Sequence, residues 1–357
     1  MKGNICLSIG IFVCIHLSQM GLGGNQLLQL NWTFPKEQDE EKKEFRIMFY
    51  NVENLFDPFD DTLTNDDEFT PNGIRHWTYR KFIDKINKLY KVIISAGEWQ
   101  PPDVVGLCEI ENRWVLNRLV YDSPLAKFEY KIIHRDSPDP RGIDIAFLYL
   151  EDSFIPLKND FIRVELYEDS SDQTREILHV EGIIHNRDTV HIFMNHWPSR
   201  WKGWQETKWK RETAASVLRM AIDTLLYTYP GAKIIIAGDF NAEPDDHCIR
   251  EILLKEQEKS FPGINCLYNM SLCARTKYPG TLKYQGTWYL FDQFIVSDRM
   301  LRRSSECAMQ VIDHNFLMEQ DDTYLGEKPF RTFIGYRYHS GFSDHLPVIL
   351  TIQLNPE

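Results

Sequence analysis

The sequence holds no CxxC pair and no cysteine and histidine at metal-ligand spacing, which argues against a structural zinc site. Beyond the first 24 residues no apolar stretch approaches the ~20 residues that a spanning helix needs. Internal repeats and low-complexity tracts are absent too, so repeat, fibrous and disordered classes fall away. Basic residues are in deficit: 40 Lys and Arg stand against 52 Asp and Glu, a formal charge of −12. Such a chain has no global attraction for a polyanion, which a local basic patch or metal ions would have to hold. What remains, with 43% apolar and 26% charged residues over 357 positions, is a folded protein able to bury one large core or two ordinary ones.

Residues 1–24 carry a single charge, Lys2, and an apolar run from Ile5 to Leu17 leads into the small, polar stretch Ser18 to Gly24. That is the layout of a secretory signal peptide, and it predicts a secreted or periplasmic protein with no spanning segment after cleavage. An uncleaved anchor or a lipoprotein is the second reading, although neither Cys6 nor Cys14 follows the small residues that lipid attachment favours. Cleavage leaves Cys108, Cys248, Cys266, Cys273 and Cys307, an odd number, with Cys266 and Cys273 the expected disulfide in an oxidising compartment. Residues 25–44, ending in the charged cluster Lys36 to Glu44, read as a tether, and 45–357 as one domain.

Within that domain, apolar runs of strand length fall near 45–51, 103–108, 130–134, 143–149, 177–185, 190–195, 233–237, 290–296 and 347–353. Helical spacing appears at Ile83, Ile86, Tyr90 and Ile93, from Glu206 to Tyr227, and more weakly near 111–119 and 245–254. Some strands follow one another directly and others are separated by a helix. The mixture predicts a layered α/β (α+β) sandwich with mixed sheets, not a doubly wound parallel sheet or a (β/α)₈ barrel.

Metal-capable and titratable residues recur where an apolar strand ends. Asn51 and Glu53 follow Ile47 to Tyr50; Glu109 follows Val104 to Cys108; His196 follows His191 to Asn195; Asp239 and Asn241 follow Ile234 to Gly238. Asp292 lies inside Trp288 to Val296, and Asp344 and His345 precede Leu346 to Ile349. A strand end is rigid backbone opening onto solvent, where a side chain is held in place yet reaches a ligand. Singly, each has a plain reading: an Asx turn at Asp239, a surface ion pair at Asp344 and His345, a helix-start carboxylate at Glu109, a packed histidine at His196. Independent caps do not usually select a metal-ligand residue at every strand end, so the joint occurrence favours one site.

The segments Tyr50-Asn51-Val-Glu53-Asn54-Leu55, Gly106-Leu-Cys-Glu109, Arg141-Gly-Ile-Asp144, Asn195-His196-Trp-Pro, Gly238-Asp239-Phe-Asn241, Phe291-Asp292-Gln-Phe and Ser343-Asp344-His345-Leu-Pro resemble, in order, the motifs of the endonuclease/exonuclease/phosphatase family. The resemblance implies a deoxyribonuclease I-like four-layer sandwich of two mixed β-sheets flanked by helices, with Mg²⁺ or Mn²⁺ at the site. It implies Glu109 as the principal metal carboxylate, with Asn51 and Asp344 completing an oxygen-rich shell of the kind Mg²⁺ prefers. His345 matches the catalytic histidine and Asp292 the carboxylate that orients it. His196 and Asn241 would stabilise charge on phosphoryl oxygens. Asp239 or the histidine pair would position the nucleophile, and Asp144 is either the partner of His196 or a plain strand residue.

The family's reactions include cleavage of DNA, RNA, inositol phosphates and sphingomyelin, so local sequence must choose the substrate. Basic residues and tryptophans interleave from Trp197 through Arg200, Trp204 and Lys208 to Arg211, which suits phosphates and stacked bases. Arg331 and Arg337 form a second basic set ahead of Asp344. A nucleic acid or nucleotide phosphodiester is therefore the first substrate reading. An inositol-phosphate or lipid-headgroup ester is the second, suited by the acidic overall charge, and a metal-site protein without catalysis is the third.

Overall fold

The computed structural model describes residues 43–166, 173–185, 187–201, 203–255 and 266–355; the expected leader and nearly all of the tether lie outside them. Eighteen strands are present among the described residues: β1 (Lys43–Leu55), β2 (Val104–Ile110), β3 (Lys131–His134), β4 (Asp144–Tyr149), β5 (Phe154–Ile162), β6 (Ile177–Ile184), β7 (Asp188–His196), β8 (Lys233–Asp239), β9 (Leu267–Asn269), β10 (Leu282–Tyr284), β11 (Thr287–Tyr289), β12 (Asp292–Ser297), β13 (Ser304–Val311), β14 (Met318–Gln320), β15 (Glu327–Pro329), β16 (Phe333–Ile334), β17 (Arg337–Tyr338) and β18 (Val348–Leu354). The α-helices are α1 (Tyr79–Ala96), α2 (Arg113–Tyr121), α3 (Lys208–Thr228) and α4 (Asp298–Arg303). No described helix is long and apolar enough to cross a membrane. The first strand takes in Lys43 and Glu44, which pair with Leu354 and Gln353, so the tether gives way to the fold two residues earlier than expected.

Twelve strands make two six-stranded sheets, ordered β13-β18-β1-β2-β4-β3 and β5-β6-β7-β8-β12-β9. Each sheet has one parallel pair at its centre, β1 with β2 and β7 with β8, flanked on both sides by antiparallel strands. A parallel pair needs a crossover, and α1 and α3 supply it. The carboxyl ends of the four central strands therefore open at the same edges at which their antiparallel neighbours β4, β6, β12 and β18 begin. That is why chemistry-bearing residues end some strands and begin others.

Residue alternation sets the layers. Ile192, Met194, Ile235 and Ala237 point into a core shared with the first sheet, whereas Phe193, Ile234 and Ile236 pack with Ala214, Leu218 and Ile222 of α3. Phe82, Leu89, Val92, Val115 and Leu119 of α1 and α2 join the core of the first sheet. Both sheets are thus buried on two faces, and each fully buried Leu, Ile or Phe contributes about 1.5–3 kcal/mol.

All nine expected strands form. Three more complete the two sheets: β9 is only three residues long, and β5 and β13 have few buried positions, so an edge strand of this kind carries little apolar alternation to read. The expected helix near 245–254 is one turn of π-helix, Cys248–Leu253. Cys266 and Cys273 do not form the expected disulfide: Cys266 is buried at the head of β9 and Cys273 is exposed beyond its far end.

Gly238, paired with Asn195 across the parallel centre, has no room for a side chain; an added Cβ would lie 2.5 Å from the Asn195 carbonyl oxygen. Gly238→Ala should therefore cost about 1–3 kcal/mol. Urea unfolding checks this, a lower midpoint at unchanged slope being the expected result and an unshifted midpoint the contrary one.

Candidate active site

The strand ends that carry the site are bent. Register slips between Asn51 and Leu55 on β1 and between Cys108 and Ile110 on β2, and Glu53, Asn54, Glu109 and Asn241 have φ of 52°, 56°, 63° and 47°. For residues with a Cβ, left-handed backbone costs roughly 1 kcal/mol or more each, so tertiary contacts must hold it. Those contacts exist: Asn51 Oδ1 accepts from Glu53 N at 3.0 Å, Glu109 Oε2 from Asn54 N at 2.9 Å, and Asp239 Oδ1 from Asn241 N at 2.9 Å. The bulges turn Glu53 and Glu109, which regular alternation would send elsewhere, toward one edge.

His345 lies between two aspartates. Its Nδ1 is 2.7 Å from Asp292 Oδ2 and its Nε2 is 3.9 Å from Asp239 Oδ2, with Asp239 and Asp292 fully buried. Burial disfavours a charged imidazole here, but Asp292, Asp239 and Asp344 outweigh it and raise the pKa of His345 well above the ordinary value. Burial also raises Asp239, to about 6, although His345 works in the opposite direction. Ser343 fixes the segment, donating from Oγ to Asn51 O at 2.7 Å and accepting from His345 N at 3.1 Å.

Beside this triad, Asn51 Nδ2 donates to Glu109 Oε1 at 3.2 Å and to Asp239 Oδ2 at 3.0 Å, joining two carboxylates from different sheets. Arg331 Nη2 lies 3.0 Å from Asp344 Oδ2 and 3.3 Å from Glu53 Oε1. Below them is Lys85, 1% exposed, bonded to Thr332 Oγ1 and Phe342 O; burial, only partly offset by Glu53, Asp344 and Glu109, lowers it to about 8. Glu53, Glu109, Asp239, Asp292 and Asp344 thus face Arg331, Lys85 and His345. The donors are hard oxygens with carboxylate in excess, and Cys108, the nearby thiol, is buried with its pKa raised by burial. That set fits Mg²⁺ or Mn²⁺ rather than a thiophilic metal. Asp239, Asp292 and His345 also bring ligand-type atoms within 4.8 Å of one another, but the 2.7 Å bond already occupies two of them, so Glu109 is the better metal carboxylate.

His196 Nε2 is 3.9 Å from Glu109 Oε1 and 3.8 Å from Asp239 Oδ2, while its buried Nδ1 has no partner. Burial, then the nearby Arg175 and Arg141, hold its pKa well below the usual range, so it is a neutral donor. Arg175, which the sequence did not single out, positions it: Nε donates to His196 O at 3.2 Å, Nη2 to Trp197 O at 2.6 Å, and Nη1 pairs with Asp139 at 2.9 Å. Lys85 was equally unremarked, although a lysine on the stripe of Phe82 and Leu89 is a readable sign.

Eight expected residues therefore meet at one edge: Asn51, Glu109, His196, Asp239, Asn241, Asp292, Asp344 and His345. Four do not take the expected roles. Asp144 bonds His134 Nε2 at 3.0 Å and Ser137 N at 2.7 Å, because β3 pairs with β4 and puts His134 on its face, whereas His196 belongs to the other sheet. Arg200 is committed to Asn241 O at 2.8 Å and Asp246 at 2.6 Å and stacks on Phe291, so it braces the loop instead of facing substrate. Arg331 is a rim cation bound to carboxylates. Arg337 stands exposed on the β16–β17 hairpin, with no ion-pair partner among the described residues. Of the interleaved stretch, Trp197 and Arg211 are buried, and Trp201 is open at 90% exposure.

The family model described as the Endonuclease/Exonuclease/phosphatase family matches residues 46–354. No curated protein matches the sequence. Among solved structures, truncated TDP2 from Caenorhabditis elegans superposes with a TM-score of 0.52 at 16% identity, over 87% of this chain and 98% of that one. An endonuclease/exonuclease/phosphatase family protein of Bacteroides thetaiotaomicron gives 0.55 at 12%, over 88% and 100%. The mannosyl-6-phosphatase Bt3783 from the same organism gives 0.54 at 13%, over 86% and 99%. At these identities the likeness is one of fold.

Asp139 gives a test of the brace behind His196. Burial alone would push its carboxyl up, but Arg175 and Arg141 hold it at about 2. A carboxyl depressed on folding stabilises the fold above the unfolded value of about 4 and loses that contribution as pH falls toward 2. Asp139→Asn should therefore lower stability by about 2 kcal/mol at pH 7, with the gap to wild type closing between about pH 4 and pH 2. Urea midpoints across that range measure it; a gap independent of pH would refute the ion-pair account.

Proposed function

Because the chain belongs to the endonuclease/exonuclease/phosphatase family, we propose that it is a divalent-metal-dependent phosphodiester hydrolase, a nuclease or nucleotide phosphodiesterase first of all. The observation that carries the reading is the 2.7 Å bond between His345 and Asp292, with Asp239 across the ring at 3.9 Å. It makes a charged donor and a nearby acceptor in one water-poor cleft, which phosphoryl transfer needs. In this assignment Asp239 takes the proton of the attacking water. His345, kept cationic by its aspartates, donates toward a phosphoryl oxygen, and His196 and Asn241 share the remaining charge. Glu109, Asn51 and Asp344 would hold the metal, which supplies Lewis-acid polarisation of the phosphoryl group. Binding there would require Asn51 to turn its amide and Asp344 to share its Arg331 contact.

The acidic total charge and the mannosyl-6-phosphatase among the similar folds favour a second reading, a small phosphoester such as a sugar, inositol or lipid-headgroup phosphate. Supercoiled DNA, RNA, a generic diester and inositol phosphates, offered with and without EDTA, separate the two. The composition of residues 1–24 supports a secreted or periplasmic site of action, which the mass of the mature N-terminus tests.

Hydrolysis should require Mg²⁺ or Mn²⁺ and stop on chelation; full activity in EDTA would end the metal assignment. With Asp239 as acceptor, activity should fall as pH drops through about 6. His345→Ala should lower turnover by roughly a hundredfold to ten-thousandfold, and Asp292→Asn should lose most activity. The double variant should be little worse than His345→Ala, because groups that act as one unit are not additive. Independent multiplication of the two losses would separate Asp292 from His345.

A further inference from the structure

The β10–β11 hairpin is built directly onto the catalytic histidine, and the catalytic assignment leaves it unused. Leu282 pairs with His345 in an isolated antiparallel bridge. The residue before it, Thr281, accepts from Leu346 N at 2.7 Å through its carbonyl and from Asp292 N at 3.3 Å through its hydroxyl. The chain beyond His345 runs from the site into its sheet as β18, so β10, antiparallel at that bridge, runs the other way and carries its tip out past the active-site edge. Cross-strand partners project from the same face, and side chains two apart on a strand share a face. Leu282 and Tyr284 therefore lie on the face to which His345 points. One bridge and two residues separate Tyr284 from His345, roughly 12 Å between Cα atoms at most.

Only the other face of the hairpin is braced. Gln285 and Gly286, with φ of 48° and 84°, close it in the left-handed turn that a two-residue hairpin favours. Lys283 points away from Tyr284 and is buried; it pairs with Asp321 at 2.8 Å and donates to Leu325 O at 2.7 Å, which pins the tip against the β14–β15 connection. Trp288, its cross-strand neighbour, stacks on Tyr278. Tyr284 has no such cover. It is 57% exposed, its hydroxyl accepts from Gln285 Nε2 at 3.3 Å, and its ring has no aromatic or cationic partner among the described residues. A ring left in water on a fixed support beside the catalytic histidine forgoes burial that a flat partner would restore.

We propose that Tyr284 is a specificity-determining residue that stacks on the base of a nucleotide flanking the scissile phosphate. The proposal rests on the nuclease reading and narrows it to substrates with a base next to the cleaved bond. A base offers the flat π face that an exposed ring takes, whereas a sugar phosphate or a lipid headgroup offers none. Stacking made equally in the bound substrate and in the transition state lowers KM and leaves kcat alone.

The test uses the full chain at saturating Mg²⁺ and three diesters: a dinucleotide, and the same dinucleotide lacking either its 5′ base or its 3′ base. Tyr284→Ala should raise KM for the intact dinucleotide roughly fivefold or more with kcat little changed, the lower end of what losing one base stack costs. The diester that lacks the stacked base should show no such penalty. Tyr284→Trp should keep the wild-type KM or improve on it, because the indole preserves the stack. An unchanged KM in Tyr284→Ala, an equal rise for all three diesters, or a KM in Tyr284→Trp as high as in Tyr284→Ala overturns the base contact while leaving the nuclease reading intact. Hydrolysis of sugar monophosphates with no diester cleaved by the wild type overturns the nuclease reading itself, and the base contact with it. Circular dichroism reports on the fold of each variant, and the replaced side chain lies outside the core.

Discussion

Five carboxylates gathered at one edge, with most of their water removed, repel one another, and the surroundings of Glu53, Glu109, Asp239, Asp292 and Asp344 are arranged against that repulsion. His345 bridges Asp292 and Asp239, Arg331 bridges Glu53 and Asp344, Asn51 donates to Glu109 and Asp239, and Lys85 lies beneath the group. Removing one partner of such a cluster leaves a buried charge unpaired, which costs more than any single contact contributes. The same crowding makes the edge receptive to a divalent cation, since the protein's own cations do not balance the carboxylates. Stability and metal affinity therefore pull on the same side chains in opposite directions.

The fold makes this crowding achievable by repeating one design twice. Each sheet has a central parallel pair with a crossover helix and antiparallel flanks, so four strand ends and four strand starts converge. Neither sheet carries the site alone: Asn51, Glu109 and the segment ahead of β18 come from the first, His196, Asp239 and Asp292 from the second. The close approach of the β7 and β8 backbones at Gly238 sets Asp239 beside the end of β7. Positional tolerance at such a site is small, because a displacement of about 1 Å is enough to weaken catalysis.

Around this shared centre the outer parts differ in kind. Arg200 and Arg211, which look like substrate-facing cations in the sequence, are spent, the first on a carbonyl and a carboxylate of the segment after β8 and the second on a carbonyl of its own loop. Trp197 packs at right angles to Phe240 in the core, while Trp201 is almost wholly exposed. Four residues apart, two tryptophans serve opposite ends because one belongs to the strand terminus and the other to the loop that leaves it.

Much of the protein was legible in order along the chain. Apolar runs of strand length located nine of the strands of the two sheets, and the candidate site residues lie where those runs end, since a strand buried on both faces can present polar groups only where it ends. What the sequence could not carry was pairing between distant segments and the direction of individual side chains. It did not tell that Asp144 faces His134, that Arg175 braces His196, or that Lys85 underlies Glu53, because each depends on which strands are neighbours. The edge strands β5, β9 and β13 escaped notice for a related reason, as short strands or strands with few buried positions leave little pattern. Composition and strand-end chemistry determined which carboxylates, amides and histidines gather where the strands end, a donor set of the kind a hard divalent cation fits. Only tertiary structure decided which cations are free to meet a substrate, because a guanidinium or indole is committed or exposed according to groups that lie far away in sequence.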